Sequence, residues 1–182
     1  MKQLRFSFFL IFLVACNKPN QRPNEITKIE IATGGCFGAC QLTAVVIDSS
    51  LLYRYYGGEL PLALFPKPEQ REKLVGYYSA KINRELWDSF NFKLEQINYK
   101  QLDTSYEKSV DDESLNVLIH YNNKVKHIKA QSTSLPDGVA KVFYYIIKSY
   151  KVVKPERTRD TFEIHRSMPD IRDVRFPPPP GN

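Results

Sequence analysis

Residues 115–130 read LNVLIHYNNKVKHIKA and decide the fold, because two alternating runs flank a turn. Leu115, Val117 and Ile119 are apolar at every second position, which is the period of a strand with one buried face. Asn122-Asn123 lies between the runs, and asparagine tolerates the left-handed backbone angles of a tight hairpin turn. The stretch therefore predicts an antiparallel β-hairpin.

A two-residue turn also sets the register of this hairpin, with Tyr121 opposite Lys124. The apolar residues of both strands then share a core face, whereas His120 and His127 lie diagonally close on the opposite face. Two imidazoles at this spacing could share a metal ion or form a pH-sensitive pair, or they could be two solvated side chains. His120 and His127 are weak metal candidates, because the sequence nominates no third ligand.

The rest of the chain extends this hairpin into a mixed domain. Alternating, β-branched or aromatic runs that favour strands occur at residues 26–33, 42–47, 51–56, 59–65 and 74–82. The period then becomes helical after Asn83, a good N-cap, and again after Ser134, which has capping-box spacing to Asp137. We therefore predict an α+β fold, a two-layer sandwich with an antiparallel sheet of about five strands and two amphipathic helices packed on one face.

The N-terminal residues indicate export and lipidation. Lys2 and Arg5 precede an apolar run, residues 6–15, that is much shorter than the roughly 20 residues a membrane-spanning helix needs. Leu13-Val14-Ala15-Cys16 resembles the lipobox of bacterial lipoproteins, in which the cysteine carries the lipid, palmitate included. We expect residues 1–15 to be a lipoprotein signal peptide, with lipidated Cys16 at the start of a flexible tether, residues 16–25.

The remaining chain divides into a globular part, residues 26–152, and a Pro-rich tail, residues 153–182, that we expect to be partly disordered. The formal net charge is +6, and removal of Lys2 and Arg5 with the signal peptide lowers it to +4. The basic residues are spread along the chain without a block of five like charges. This distribution argues against a nucleic-acid partner.

The segment TGGCFGACQL, residues 33–42, contains the other two cysteines of the chain, Cys36 and Cys40. Export would place both in an oxidising compartment, and turn glycines would let the backbone fold back to join them in a disulfide. A redox centre would more often show C-x-x-C at a helix N-terminus, and a zinc site would need two further ligands. A structural disulfide is the best interpretation, and a redox pair is the main alternative. The turn glycines are Gly34, Gly35 and Gly38.

The segments Gly35–Cys40 and Ile97–Tyr106 resemble the bacterial family of the domain of unknown function numbered 6438, and the similarity covers residues 26–150. Members of that family are commonly small lipoproteins or exported proteins, so the resemblance implies a fold and a location. One position departs from the family pattern, since Gln41 stands where a proline usually follows the second cysteine. The family has no established activity, and the resemblance implies no reaction.

Together these features favour a lipid-anchored cell-envelope protein with a non-catalytic binding or scaffolding domain. We expect a bacterial membrane location, with an outer-membrane anchor and a domain facing the periplasm or the surface. The membrane is then one partner, and an envelope protein or a glycan that stacks on strand tyrosines is another. The alternatives are a thiol–disulfide redox protein or enzyme using Cys36 and Cys40, and a metal-binding module using His120 and His127. No catalytic motif appears, the acidic cluster at residues 111–113 is expected to be a solvated loop, and we expect no cofactor.

Overall fold

The computed structural model of the chain describes residues 25–34, 36, 40–58, 74–108 and 112–165. The signal peptide, Cys16, the tether up to residue 24, Gly35, Gly38, the strand predicted at residues 59–65 and the proline run lie outside the described residues.

The described residues form one mixed sheet of eight strands in the order β5-β7-β6-β1-β2-β3-β4-β8. All neighbouring strands are antiparallel except β5 and β7, which are parallel. The strands are β1 Ile26–Thr33, β2 Thr43–Asp48, β3 Leu52–Gly57, β4 Gly76–Lys81, β5 Ser105–Tyr106, β6 Ser114–Tyr121, β7 Lys124–Gln131 and β8 Glu156–Arg157.

This strand number corrects the prediction of about five strands, whereas the single sheet and its two main helices are confirmed. β5 and β8 have two residues each, so neither is long enough to show an alternating pattern. Both join the sheet as edge strands next to a longer strand, β7 and β4 respectively. Each of these strands follows a helical segment, and its position beside the sheet depends on where that segment ends.

The hairpin of β6 and β7 has the predicted register. Tyr121 lies opposite Lys124, and Asn122 and Asn123 have φ values of 45° and 59°. These left-handed angles are those of a type I′ turn, which suits the twist of two antiparallel strands. β1 pairs with β6 on one side and with β2 on the other. The centre of the sheet therefore contains β1 and β6, the two strands with the clearest alternation of apolar and polar residues.

The first helix, α1, spans Arg84–Gln96 and begins at the predicted cap. The Oδ1 atom of Asn83 accepts a hydrogen bond from the backbone N–H of Leu86 at 2.9 Å, which satisfies one of the free donors of the first turn. Trp87, Phe90 and Leu94 recur at three- and four-residue steps and are buried against the sheet.

The second helix, α2, spans Asp137–Ile147, and a single helical turn, α3, follows at Tyr150–Val153. The predicted capping box is wrong, because Pro136 is the N-cap residue of α2 and no side chain caps this end of the helix. Ser134 Oγ instead accepts a hydrogen bond from the backbone N–H of Lys108 at 3.0 Å. Ser134 therefore has the spacing of a capping box but contacts a loop residue and does not cap the helix.

Both main helices cover the same face of the sheet and share one core with it. No helix in the described part of the chain has the length and apolar character needed to cross a bilayer. The largest fully buried side chains of the core are Trp87, Tyr53, Tyr55, Tyr99, Phe90 and Phe143.

The opposite, outer face of the sheet is partly covered by the C-terminal segment, residues 156–165. The segment starts as β8, and the N–H of Thr158 donates to the carbonyl of Tyr77 at 2.9 Å. The ring of Phe162 then packs edge-on against Tyr77, with centroids 5.6 Å apart, and lies 5.9 Å from the guanidinium carbon of Arg54. The ordered fold thus continues through His165, thirteen residues past the end of the globular part as outlined from sequence.

Candidate functional site

The connection between β1 and β2 carries the predicted disulfide, which joins Cys36 to Cys40 with their Cα atoms 5.6 Å apart. Polar contacts close the base of this loop. Thr33 Oγ1 donates to the carbonyl of Gln41 at 3.2 Å and accepts from the N–H of Thr43 at 3.0 Å. The chain enters β2 directly afterwards, so the disulfide lacks the helix N-terminus that lowers a thiol pKa in typical redox pairs.

Gln41 links the disulfide loop to the far side of β3. Its side chain is buried, and Nε2 donates to the carbonyls of Gly58 and Leu74, each at 2.8 Å. The backbone here is tight, because a Cβ at Gly57 would lie 1.9 Å from the Leu74 oxygen. Gln41 therefore fastens together the two ends of the segment that leaves β3 and returns to β4.

The side chain of Gln41 also has an unused acceptor. Its Oε1 is buried and has no hydrogen-bond partner among the described residues. A buried, unpaired carbonyl is costly, and such atoms often mark a place where a missing group binds.

Gln41 and the disulfide line a cleft of about 360 Å³ between this end of the sheet and the end of α2. This volume lies in the range of small-molecule sites, roughly 300–1,000 Å³. The lining is mixed in character, with aromatic rings, one carboxylate and two ammonium groups. The lining residues are Cys40, Gln41, Thr43, Tyr55, Glu113, Tyr144, Ile147, Lys148, Tyr150 and Lys151.

The acidic side of the cleft is built from Glu113 and Tyr144. The hydroxyl of Tyr144 donates to Glu113 Oε2 at 2.5 Å. Burial, the negative charge of Glu113 and this hydrogen bond raise the pKa of Tyr144, which stays a neutral donor at physiological pH. Of the acidic cluster expected to be a solvated loop, Asp111 lies outside the described residues. Asp112 and Glu113 lie in a loop and are half-buried, and Asp112 Oδ2 accepts from the N–H of Thr133 at 3.1 Å.

The basic side of the cleft comes from the helix end. Lys148 and Lys151 are exposed, and neither forms an ion pair with a described residue. Tyr55 and Tyr150 also line the cleft, with their ring centroids 4.8 Å apart. The cleft is therefore lined by hydrogen-bond acceptors from the strand ends, cationic donors from the helix end and tyrosine rings.

The tyrosines proposed from sequence to contact a glycan do not form one open surface. Tyr53 and Tyr55 are buried in the core, and Ser149 Oγ donates to the Tyr53 hydroxyl at 3.1 Å. Tyr56 and Tyr77 pack against each other at a tilt on the outer face, with centroids 4.8 Å apart, and Tyr77 also contacts Phe162 of the C-terminal segment.

A second polar cluster on the outer face is centred on Glu30 of β1. Glu30 is 5% exposed, and its Oε1 contacts His120 Nε2 at 2.6 Å and Lys28 Nζ at 2.9 Å. Its Oε2 contacts His165 Nδ1 at 3.1 Å. Burial acts to raise the pKa of Glu30, but the hydrogen bond and charge of Lys28 together with both histidines outweigh it and leave the pKa lowered.

The two histidines considered as metal candidates contact different partners. His127 Nε2 lies 2.5 Å from Asn116 Oδ1, and the Asn116 amide donates to the carbonyl of His165 at 2.8 Å. Burial, Lys129 and His165 lower the pKa of His127. Within the described ranges, no three His, Cys, Asp or Glu side chains are arranged to hold a metal ion.

Sequence reasoning missed the roles of Gln41, Glu30, Asn116 and His165. Glu30 and Asn116 could have been noticed from the sequence, because each is a polar residue within a strand that lies near the centre of the sheet. Nothing in the sequence indicated that residues 156–165 return to cover them.

The comparisons with known proteins bear on the family alone. No curated protein matches the chain significantly. A family model described as a domain of unknown function (DUF6438) matches residues 27–150, a range that holds the disulfide and nearly all of the cleft. The chain therefore belongs to the DUF6438 family.

Proposed function

We propose that this protein is a lipid-anchored cell-envelope protein whose folded domain binds a ligand without catalysing a reaction. The lipobox-like end of the first sixteen residues and the polar tether after Cys16 support the anchor. The anchor holds the domain at a bacterial membrane, and the outer membrane is the proposed site.

One observation carries the binding function: the cleft beside the disulfide, into which the strand ends and the helix end place polar groups of opposite charge. Convergent polar groups in a partly aromatic pocket are typical of ligand sites. The Glu113–Tyr144 pair supplies no nucleophile, so binding fits the cleft better than a reaction does.

The disulfide is proposed as a structural element of this site. Cys36 and Cys40 close the loop that leads into Gln41, and the lack of a following helix argues against an activated thiol. The redox alternative predicts instead a thiol that is easily reduced and strongly reactive toward an alkylating reagent.

The anchor is tested by expressing the full chain in a bacterium supplied with an alkyne-bearing palmitate analogue. Wild type is expected to incorporate the label and partition into detergent, while Cys16→Ser loses both properties. The double variant Cys36→Ser/Cys40→Ser is the matched cysteine control and should still be labelled. Label retained by Cys16→Ser would contradict the anchor.

Binding is tested by NMR titration of the detergent-solubilised full chain with neutral saccharides, simple carboxylates and dipeptides. At least one of these classes is expected to cause saturable shifts of the Gln41 side-chain amide signals. The binding proposal fails if every class leaves those signals unchanged.

A further inference from the structure

We propose that the cleft beside the disulfide binds a small zwitterion, namely a free amino acid or a dipeptide with both ends unblocked. The inference rests on the proposed binding function and adds the chemical class of the ligand. It follows from which polar groups the cleft brings together, and from the Gln41 Oε1 atom, which has no partner among the described residues.

The strand side of the cleft fits an ammonium group. Gln41 Oε1 is buried without a partner among the described residues, and Glu113 adds a carboxylate. An ammonium has three donors and a positive charge, and both an amide oxygen and a carboxylate oxygen can accept from it. An anion at this position would be repelled by Glu113.

The helix side fits a carboxylate. Lys148 and Lys151 are one helical turn apart and both line the cleft. Lys148 Nζ lies 5.5 Å from the ring centroid of Tyr144, on the acidic side of the cleft. Lys148 forms no ion pair with any described residue. A neutral sugar would leave both ammonium groups unused, whereas a ligand carboxylate accepts from them.

Tyr150 fits the part of the ligand between its charged ends. Its half-buried ring packs at a tilt on the buried ring of Tyr55, with centroids 4.8 Å apart, and offers apolar surface beside polar groups. The hydroxyl of Tyr144 donates to Glu113, so the position of the Glu113 carboxylate is fixed before a ligand binds. A site in which one charged group is already fixed loses less freedom on binding.

The test is calorimetric titration of the detergent-solubilised full chain with L-alanyl-L-alanine. The matched probes are its N-acetyl derivative, which lacks the ammonium, and its amide, which lacks the carboxylate. The unblocked dipeptide should bind at least about tenfold more tightly than either blocked probe, because each blocked end removes a charge-assisted contact. Equal binding of a blocked probe overturns the proposal.

The same titration separates this inference from the function on which it rests. If maltose or acetate binds and the dipeptide does not, the zwitterion proposal is wrong while ligand binding stands. If no probe binds, both are wrong.

A pair of variants assigns the carboxylate end. Lys148→Ala/Lys151→Ala should weaken binding of the dipeptide about tenfold and leave binding of its amide nearly unchanged. The control Lys93→Ala/Lys141→Ala removes the same charge from the helices outside the cleft and should bind like wild type. An equal loss in both double variants would show a general effect of charge and would overturn the assignment.

Discussion

Gln41 determines the local structure around it through one amide group. Its Nε2 pairs with two backbone carbonyls that belong to opposite ends of the segment between β3 and β4. We predict that Gln41→Leu lowers the free energy of unfolding by about 2–4 kcal/mol, because both carbonyls lose a buried donor. Urea denaturation measures the loss.

Gln96→Leu is the matched control, since Gln96 is exposed at the end of α1. It should change stability by less than about 0.5 kcal/mol. Equal stability of the two variants would mean that the carbonyls of Gly58 and Leu74 find other donors, and the bridging role of Gln41 would be wrong.

Glu30 makes the outer-face cluster sensitive to acid. Burial favours its protonated form, but Lys28, His120 and His165 together hold its pKa below the ordinary value of 4.5. A lowered pKa in the folded state means that the unfolded chain takes up the proton first as pH falls. The stability from Glu30 is therefore complete above about pH 4.5 and is lost below it.

His127 acts in the same direction in a higher pH range. Burial and the nearby charges lower its pKa below the ordinary 6.5, so its stabilising effect is lost as pH falls below that value. We predict that unfolding free energy, measured in urea from pH 7 to pH 3, decreases in two stages.

Glu30→Gln tests the lower stage. The variant should be less stable than wild type at pH 7 and should show a shallower decrease below pH 4.5. Glu25→Gln is the control, because Glu25 is exposed just before β1 and should leave the pH profile unchanged. Identical acid profiles for Glu30→Gln and wild type would contradict the assigned role of Glu30.

The position of Glu30 on the face opposite Ile29 and Ile31 could be predicted from alternation, and its burial could not. Alternation reports which side of the sheet a residue faces, and a charged side chain opposite a core face is ordinarily solvated. Its burial results from a segment more than 120 residues away in sequence, through His165. The bridging role of Gln41 could not be predicted for a similar reason, since the carbonyls that it contacts lie beyond β3.

At the scale of elements, the predictions succeeded where the spacing of apolar residues and a turn or cap residue at the end of the element agreed. The hairpin at Asn122-Asn123 and the helix after Asn83 both combine the two, and both occur as predicted. Ser134 to Asp137 had the spacing of a cap, yet the loop contact of Ser134 took precedence. The two-residue strands are too short to show an alternation of apolar and polar residues, so they could not be predicted without the tertiary structure.

The disulfide is an element-scale restraint with a small global effect. Cys36 and Cys40 enclose a very short loop, and chain-entropy reasoning gives about 2 kcal/mol or less for such a loop. Cys36→Ser/Cys40→Ser should lower stability by this amount and should raise amide exchange mainly between β1 and β2. Intact mass with and without reductant verifies that the parent protein is oxidised. Unchanged stability and exchange would contradict the structural role.

The C-terminal segment should contribute to stability although it contains only one short strand. Phe162 contacts Tyr77 and Arg54, so Phe162→Ala is predicted to cost about 1–2 kcal/mol and to expose residues 158–165 to proteolysis. Phe92→Ala is the matched control, because Phe92 is 63% exposed and should contribute little. Equal protease resistance of Phe162→Ala and wild type would show that Phe162 does not hold the segment.

At the scale of the molecule, the fold is one sheet with a helical layer on one face and a partial cover on the other. β5 closes the outer edge of β7 only at Lys129 and Ala130, as far as the described residues show. An open strand edge can pair with another chain, and lysine side chains along an edge oppose such pairing. β7 has this character, with Lys124 and Lys129 exposed and Lys126 donating to the carbonyl of Leu102.

We therefore predict that Lys124→Thr increases self-association, since threonine favours strands and the substitution removes a charge from the part of the β7 edge that β5 does not cover. Sedimentation velocity across a concentration series should show oligomers that wild type lacks at the same concentration. Lys141→Gln removes the same charge from the helical layer and should remain like wild type. If both variants associate equally, the lower net charge is the cause and the strand edge is not. If neither variant associates, Lys124 does not protect the edge of β7.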